Sequence, residues 1–158
     1  MKGVLFLCLF FAIGTLSLHS QESWFIGLGV EANAHTREGA ATGGGLSFGM
    51  DINRNYSFGL KAAFSHNFDT VAAVELPAFF RYYLPLGITG PFMQAEAGAV
   101  VYFEHNLAYP AFSGGLALGW RFILRQDIYI EPLLRGGYPL AWGAGLSAGI
   151  IAREKSHG

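Results

Sequence analysis

Asp127-Ile128-Tyr129-Ile130-Glu131-Pro132-Leu133-Leu134-Arg135-Gly136-Gly137-Tyr138-Pro139-Leu140-Ala141-Trp142-Gly143-Ala144-Gly145-Leu146-Ser147-Ala148-Gly149-Ile150-Ile151-Ala152-Arg153 alternates over two strand lengths. Ile128, Ile130, Pro132, Leu134, Gly136 and Tyr138 make one face, without charge. Tyr129, Glu131, Leu133, Arg135 and Gly137 make the other. The return run sets Trp142, Ala144, Leu146, Ala148, Ile150 and Ala152 against Gly143, Gly145, Ser147, Gly149, Ile151 and Arg153. Side chains alternate across a strand, so period two over about ten residues reads as a strand. The charges sit mid-strand beside glycines, while the broad apolar face has no polar group. That is the pattern of a strand with lipid outside and a small polar lumen inside.

The same alternation runs through earlier segments, broken by turn-forming residues. Trp24 to His35, Gly43 to Ile52, Tyr56 to Ser65, Val74 to Tyr83, Phe92 to Phe103 and Phe112 to Phe122 read as six more strands. Thr36–Ala41, Asn53–Asn55, His66–Asp69, Leu84–Gly90, Glu104–Ala111 and Leu124–Gln126 read as the breaks. Asn tolerates left-handed backbone, which makes Asn53-Arg54-Asn55 a tight turn. Pro77 and Pro132 fall inside strands and are expected to mark bulges, since proline cannot donate to a ladder. The fold expected is all-β: a closed, eight-stranded, antiparallel up-and-down transmembrane barrel over residues 21–153.

An eight-stranded soluble barrel would put the apolar face inside instead. Glycine and charge decide against it. Glu31, Asp51, Lys61, Glu75, Arg81, Glu96, Arg121, Glu131, Arg135 and Arg153 all fall on the face rich in Gly, Ala and Ser. That face makes a crowded interior of tapering volume and a poor solvated exterior. Lipid penalises a midplane Arg or Lys by about 2–4 kcal/mol, which accounts for such complete segregation. Aromatic residues collect towards the strand ends, with Trp24, Tyr56, Tyr82 and Trp120 at one rim and Phe64, Phe103, Tyr138 and Trp142 at the other. Interfacial girdles have this placement.

With 158 residues, one domain is expected. Charged residues are 13% and hydrophobic residues 52%, a balance unlike that of a soluble domain. The net charge of -1 gives no reason to expect a nucleic-acid partner. Lys2, the apolar run Val4 to Leu18 and the small residues up to Ser20 read as an export signal over residues 1–20. A membrane anchor would need about 20 apolar residues, more than this run offers. The single cysteine, Cys8, lies inside that run and leaves the mature chain without a disulfide or a cysteine metal site. Residues 154–158 read as a polar tail.

Pro77-Ala78-Phe79-Phe80-Arg81-Tyr82-Tyr83 and Glu131-Pro132-Leu133-Leu134-Arg135-Gly136-Gly137-Tyr138-Pro139 resemble recurring strand phrases of the small bacterial outer-membrane barrels. The mature chain as a whole resembles that group, the OmpA-type transmembrane domain and OmpW-like proteins. The resemblance implies a bacterial outer-membrane location, outer-membrane lipid and the barrel-assembly machinery as partners, and a monomer. One feature departs from the pattern. The last strand gives Ile150-Ile151-Ala152 where such barrels usually end on an aromatic residue.

An eight-stranded barrel is only wide enough inside for side chains or one small ligand. Charges there must be paired, because an unpaired buried charge costs several kcal/mol. Counting residues from the turns suggests a ladder Arg81–Glu96–Arg121–Glu131 across four neighbouring strands, with Lys61 beside Glu75 and Glu31 meeting Arg135 across the lumen. The expected role is a small barrel with a charge-plugged lumen, structural or a very narrow passage. An OmpW-like channel for small hydrophobic solutes is the alternative, and a lipid-modifying enzyme the third reading. Ser65-His66-Asn67-Phe68-Asp69 offers the residue types of a hydrolytic triad, but Ser65 and His66 point apart if the strand continues there. Gly43-Gly44-Gly45 lacks the Lys and helix of a phosphate loop. No catalysis, metal or cofactor is expected.

Overall fold

The structure, a computed structural model, describes residues 23–35, 39–67, 71–84, 87–104, 107–125, 127–138 and 140–153. The export signal expected at 1–20 and the tail at 154–158 lie outside the described residues. Eight strands form: β1 (Ser23–His35), β2 (Gly39–Asp51), β3 (Tyr56–Asn67), β4 (Ala72–Tyr83), β5 (Gly90–Glu104), β6 (Leu107–Arg125), β7 (Ile128–Tyr138) and β8 (Leu140–Arg153). Each pairs antiparallel with its sequence neighbour, and β8 closes on β1. Closure leaves no open sheet edge at membrane depth, which a bilayer requires. Short connections enforce this order. At the β2–β3 turn, the Asn53 side-chain oxygen accepts the backbone N–H groups of Asn55 (2.8 Å) and Tyr56 (2.9 Å).

The register fixes the strand stagger. Ser23 pairs with Asp51, Asp51 with Ser57, Ser57 with Arg81, Arg81 with Gln94, Gln94 with Ala117, Ala117 with Arg135, Arg135 with Gly143, and Gly143 with Asn33. One circuit therefore starts at Ser23 and returns to β1 at Asn33, ten residues further on. A stagger of this kind goes with strands tilted by about 35–45°. Residues opposite each other in register thus climb steadily around the wall. This path also carries Asp51, Arg81, Gln94 and Arg135, so the inner polar groups wind as a spiral.

The faces divide as the alternation requires. Leu28 (67% exposed), Leu116 (65%) and Leu134 (63%) point outward, whereas Asp51, Glu75, Arg81, Glu96, Arg121 and Glu131 are buried inside. A soluble barrel with an apolar interior is thereby excluded.

Three local expectations need correction. Pro77 and Pro132 are not bulges. Pro77 stays in register with Gly98, and Pro132 with Leu146. Each instead sits at a gap in the ladder on its other side, β3 for Pro77 and β6 for Pro132, and the register resumes unchanged beyond it. A missing N–H interrupts one side of a strand and leaves the other intact. The irregularities fall at Ala34/His35 and Ile123/Arg125, beside the strand ends. Second, β6 begins at Leu107, inside the expected loop, because Pro110 pairs with Val101 and Tyr109 with Tyr102. Third, β3 runs through His66 to Asn67, so His66 is a strand residue.

Candidate functional site

The lumen is built on a size rule: bulky inward side chains lie across small residues of the next strand. A Cβ placed at Gly59 would stand 2.5 Å from Phe79 Cζ, and one at Gly149 would stand 2.6 Å from Tyr129 Cζ. At Gly49 it would stand 2.9 Å from Phe25 Cε1, and at Gly119 2.9 Å from Phe92 Cε1. Glu31 likewise leans over Gly145, with Cγ 3.0 Å from that position. The inward glycines are the space that the large side chains occupy, and this keeps a narrow barrel at close packing.

At the lower end, near the start of β1 and β7, two guanidiniums sit within an aromatic layer. Arg121 has 0% exposure. Its Nε donates to Glu131 Oε1, and its Nη1 lies 3.4 Å from both oxygens of Asp51. Its Cζ stands 4.5 Å from the Phe25 ring centroid and 4.6 Å from that of Tyr129. Arg81 Nη1 donates to the same Glu131 oxygen at 2.7 Å and to Tyr83 Oη at 3.0 Å, and its Cζ is 4.0 Å from the Phe92 ring. Asp51 is fixed by hydroxyl donors, Ser57 at 2.7 Å and Ser23 at 2.9 Å. Here two cations meet two carboxylates, and ring faces complete their surroundings. Cation–π contacts are strongest where water is excluded.

A second group lies higher. Arg135 reaches Glu31 (3.0 Å), Glu75 (3.1 Å) and Glu96 (3.0 Å), while Lys61 pairs with Glu31. Gln94 joins the two groups: Arg81 Nε donates to its oxygen at 2.8 Å, and its amide donates to Glu96 Oε1 at 2.6 Å. The result is one connected polar network from Asp51 to Lys61. The planar fork of Arg135 serves three carboxylates, which a point-charge ammonium could not do as well.

The structure brings all eight expected network residues, Glu31, Lys61, Glu75, Arg81, Glu96, Arg121, Glu131 and Arg135, into ion pairs, but not as the expected ladder. Arg121 does meet Glu131, and Arg135 does meet Glu31. Glu96, however, pairs with Arg135 and Lys61 with Glu31, and Arg81 crosses to Glu131. The stagger is the cause. In register Glu96 faces Gly115 and Arg121 faces Gly90, so those two are far from level. Asp51, Gln94 and Tyr83 also belong to the network. Inward parity marked Asp51, but its partner Arg121 lies across the lumen, where counting from a turn does not reach.

Outside, Trp24, Tyr56, Tyr82 and Trp120 cluster with other rings. Trp24 stacks on Phe48 at 5.3 Å, Tyr56 contacts Phe80 at 5.7 Å and Tyr82 at 5.2 Å, and Trp120 stacks on Phe122 at 5.8 Å. Phe64, Phe103, Tyr138 and Trp142 are exposed on strand segments towards the opposite end. Ser65 is buried and His66 exposed, so the two residues point to opposite faces, and Asp69 lies outside the described residues. Among the described residues, no cluster of His, Cys, Asp and Glu is placed to hold a metal.

Solved structures similar to this chain are small outer-membrane barrels. Neisserial surface protein A matches with a TM-score of 0.62 at 14% identity, over 84% of this chain and 97% of that one. The N-terminal β-barrel domain of Pseudomonas aeruginosa OprF matches with a TM-score of 0.53 at 16% identity, over 84% and 98%. The outer membrane protein OprG from Pseudomonas aeruginosa matches with a TM-score of 0.53 at 10% identity, over 85% and 93%. No protein-family model matches the chain, and no curated protein sequence matches it.

Proposed function

We propose that this chain, which has the fold of the small bacterial outer-membrane barrels, spans that membrane as a sealed barrel whose lumen is closed by its charge–aromatic plug. Its role on this reading is structural, acting as a single copy held by outer-membrane lipid and inserted by the barrel-assembly machinery. The observation that carries the reading is Arg121, fully buried between Glu131, Asp51 and the rings of Phe25 and Tyr129. A guanidinium so enclosed leaves no water-filled bore at that level.

A channel for hydrophobic solutes has less support, because the inward apolar groups Phe25, Phe79, Tyr129 and Ile151 are packed against one another. A hydrolase has less still, since Ser65 and His66 diverge. The test is Arg121→Ala. It leaves Asp51 without a cation and Glu131 with Arg81 alone, so stability should fall by about 3–5 kcal/mol, the cost of breaking a buried pair, unless water fills the gap and conductance rises. Melting in detergent and planar-bilayer current read the two outcomes. A variant unchanged in both contradicts the plug.

A further inference from the structure

We propose that the outer wall carries a seat for one diacyl phospholipid, its phosphate on Arg54 and its two chains in the grooves on either side of Phe80. The proposal rests on the membrane-spanning reading and names the lipid and the place that reading leaves general.

The outward face is not evenly filled. Two apolar grooves are cut into it, of about 580 Å³ and about 610 Å³. Both fall within the usual size of a ligand site, about 300–1,000 Å³. The first lies between Phe48, Phe58, Leu60 and Phe80, the second between Phe80, Met93, Leu116 and Leu134. Phe80 and Ala95 belong to both. In register Ala95 stands between Phe80 on β4 and Leu116 on β6, a low point among bulky neighbours. Phe80 is thus a divider, and Tyr56 packs against it and against Tyr82. The two tyrosines are partly exposed on the rim side of Phe80. Aromatic rings with a polar tip hold that level at headgroups.

Two residues before Tyr56, the β2–β3 turn presents Arg54. The turn is held in place. Tyr83 N–H donates to the Asn55 carbonyl at 2.7 Å, and the Asn55 amide donates to the Tyr83 carbonyl at 3.1 Å. A Cβ placed at Gly87 would stand 3.4 Å from the Arg54 carbonyl oxygen, so the β2–β3 and β4–β5 turns touch. Neither turn contains an acid: they read Ile52-Asn53-Arg54-Asn55 and Leu84-Pro85-Leu86-Gly87-Ile88-Thr89. Arg54 is exposed and, among the described residues, enters no ion pair.

Lipid chains cover any outward wall. In a bilayer such contacts gain only packing, because the tails are as apolar as the wall. A charged hydrogen bond from Arg54 to phosphate is what keeps one lipid in place. Two grooves of similar volume below one unanswered cation match two chains below one phosphate.

The experiment is native mass spectrometry of the folded protein in non-ionic detergent, titrated with dipalmitoyl phosphatidylglycerol, its one-chain lyso form or lipid A. The variants are Arg54→Ala, Ala95→Phe and Arg125→Ala, the last removing an exposed arginine at the end of β6. Wild type should retain one phosphatidylglycerol. Arg54→Ala should bind it on the order of tenfold more weakly, the loss of one charged hydrogen bond. Ala95→Phe fills both grooves from the outward side and should weaken binding by a similar factor, whereas Arg125→Ala should change nothing. The lyso form should bind wild type more weakly than the two-chain lipid. Heat-modifiable gel mobility checks every sample, and Arg54→Gln or Ala95→Leu replaces a variant that loses it. Folded Arg54 and Ala95 variants that bind like wild type, a lyso form held equally well, or a preference for lipid A overturns the inference. A wild type that folds without detergent would instead overturn the membrane-spanning reading.

Discussion

Gly119 and Phe92 sit opposite each other on β6 and β5, and the pair isolates the size rule of the lumen. The three atoms nearest to a methyl at Gly119 would all belong to the Phe92 ring. Gly119→Ala should therefore cost about 1–3 kcal/mol, the usual cost of overpacking. Adding Phe92→Leu should recover a substantial part, because the obstructing ring is gone. Urea unfolding of the two variants in detergent reads this. A double variant no better than the sum of its single changes would mean that Gly119 matters for some reason other than the space it leaves.

At the scale of a strand, Pro132 gives a prediction of its own. It keeps its partner on β8 and leaves the β6–β7 ladder interrupted between Gly119↔Leu133 and Phe122↔Ile130. Pro132→Val supplies the missing N–H on an outward position that suits an aliphatic side chain. The restored bond contributes about 0.5–1.5 kcal/mol. The unfolded chain gains freedom worth about 0.4–1 kcal/mol, which opposes it. In a wall facing lipid the unpaired carbonyl is the costlier item, so the variant should be slightly more stable, with its new backbone amide protected from exchange. A destabilised variant with an unprotected amide would contradict this account of the gap. Elements of this kind were mostly legible in the sequence. Alternation gave strand number, order and faces, because period two is a local signal. It misjudged the start of β6 and the effect of the prolines, which depend on what the neighbouring strand supplies: Tyr102 opposite Tyr109, and an intact ladder beyond Pro132.

For the whole molecule, the decisive quantity is the ten-residue stagger between Ser23 and Asn33. It explains why the inward residues could be named from the sequence while most of their partners could not. Arg121 and Glu131 flank one turn, and their pairing follows from counting. Glu31 with Arg135 is expected across the lumen as well. Arg135 with Glu75 and Glu96, or Arg81 with Glu131, depends on how far the wall climbs around the barrel, which no single hairpin encodes. Burial of the charges and exposure of the leucines rest on one assignment of inside and outside. A nitroxide scan along β7 in lipid bilayers tests it most directly. Labels at Ile130, Pro132, Leu134 and Gly136 should be reached by oxygen dissolved in lipid, and labels at Tyr129, Glu131, Leu133 and Arg135 should not. The opposite phase, or no period of two, would contradict the transmembrane barrel itself.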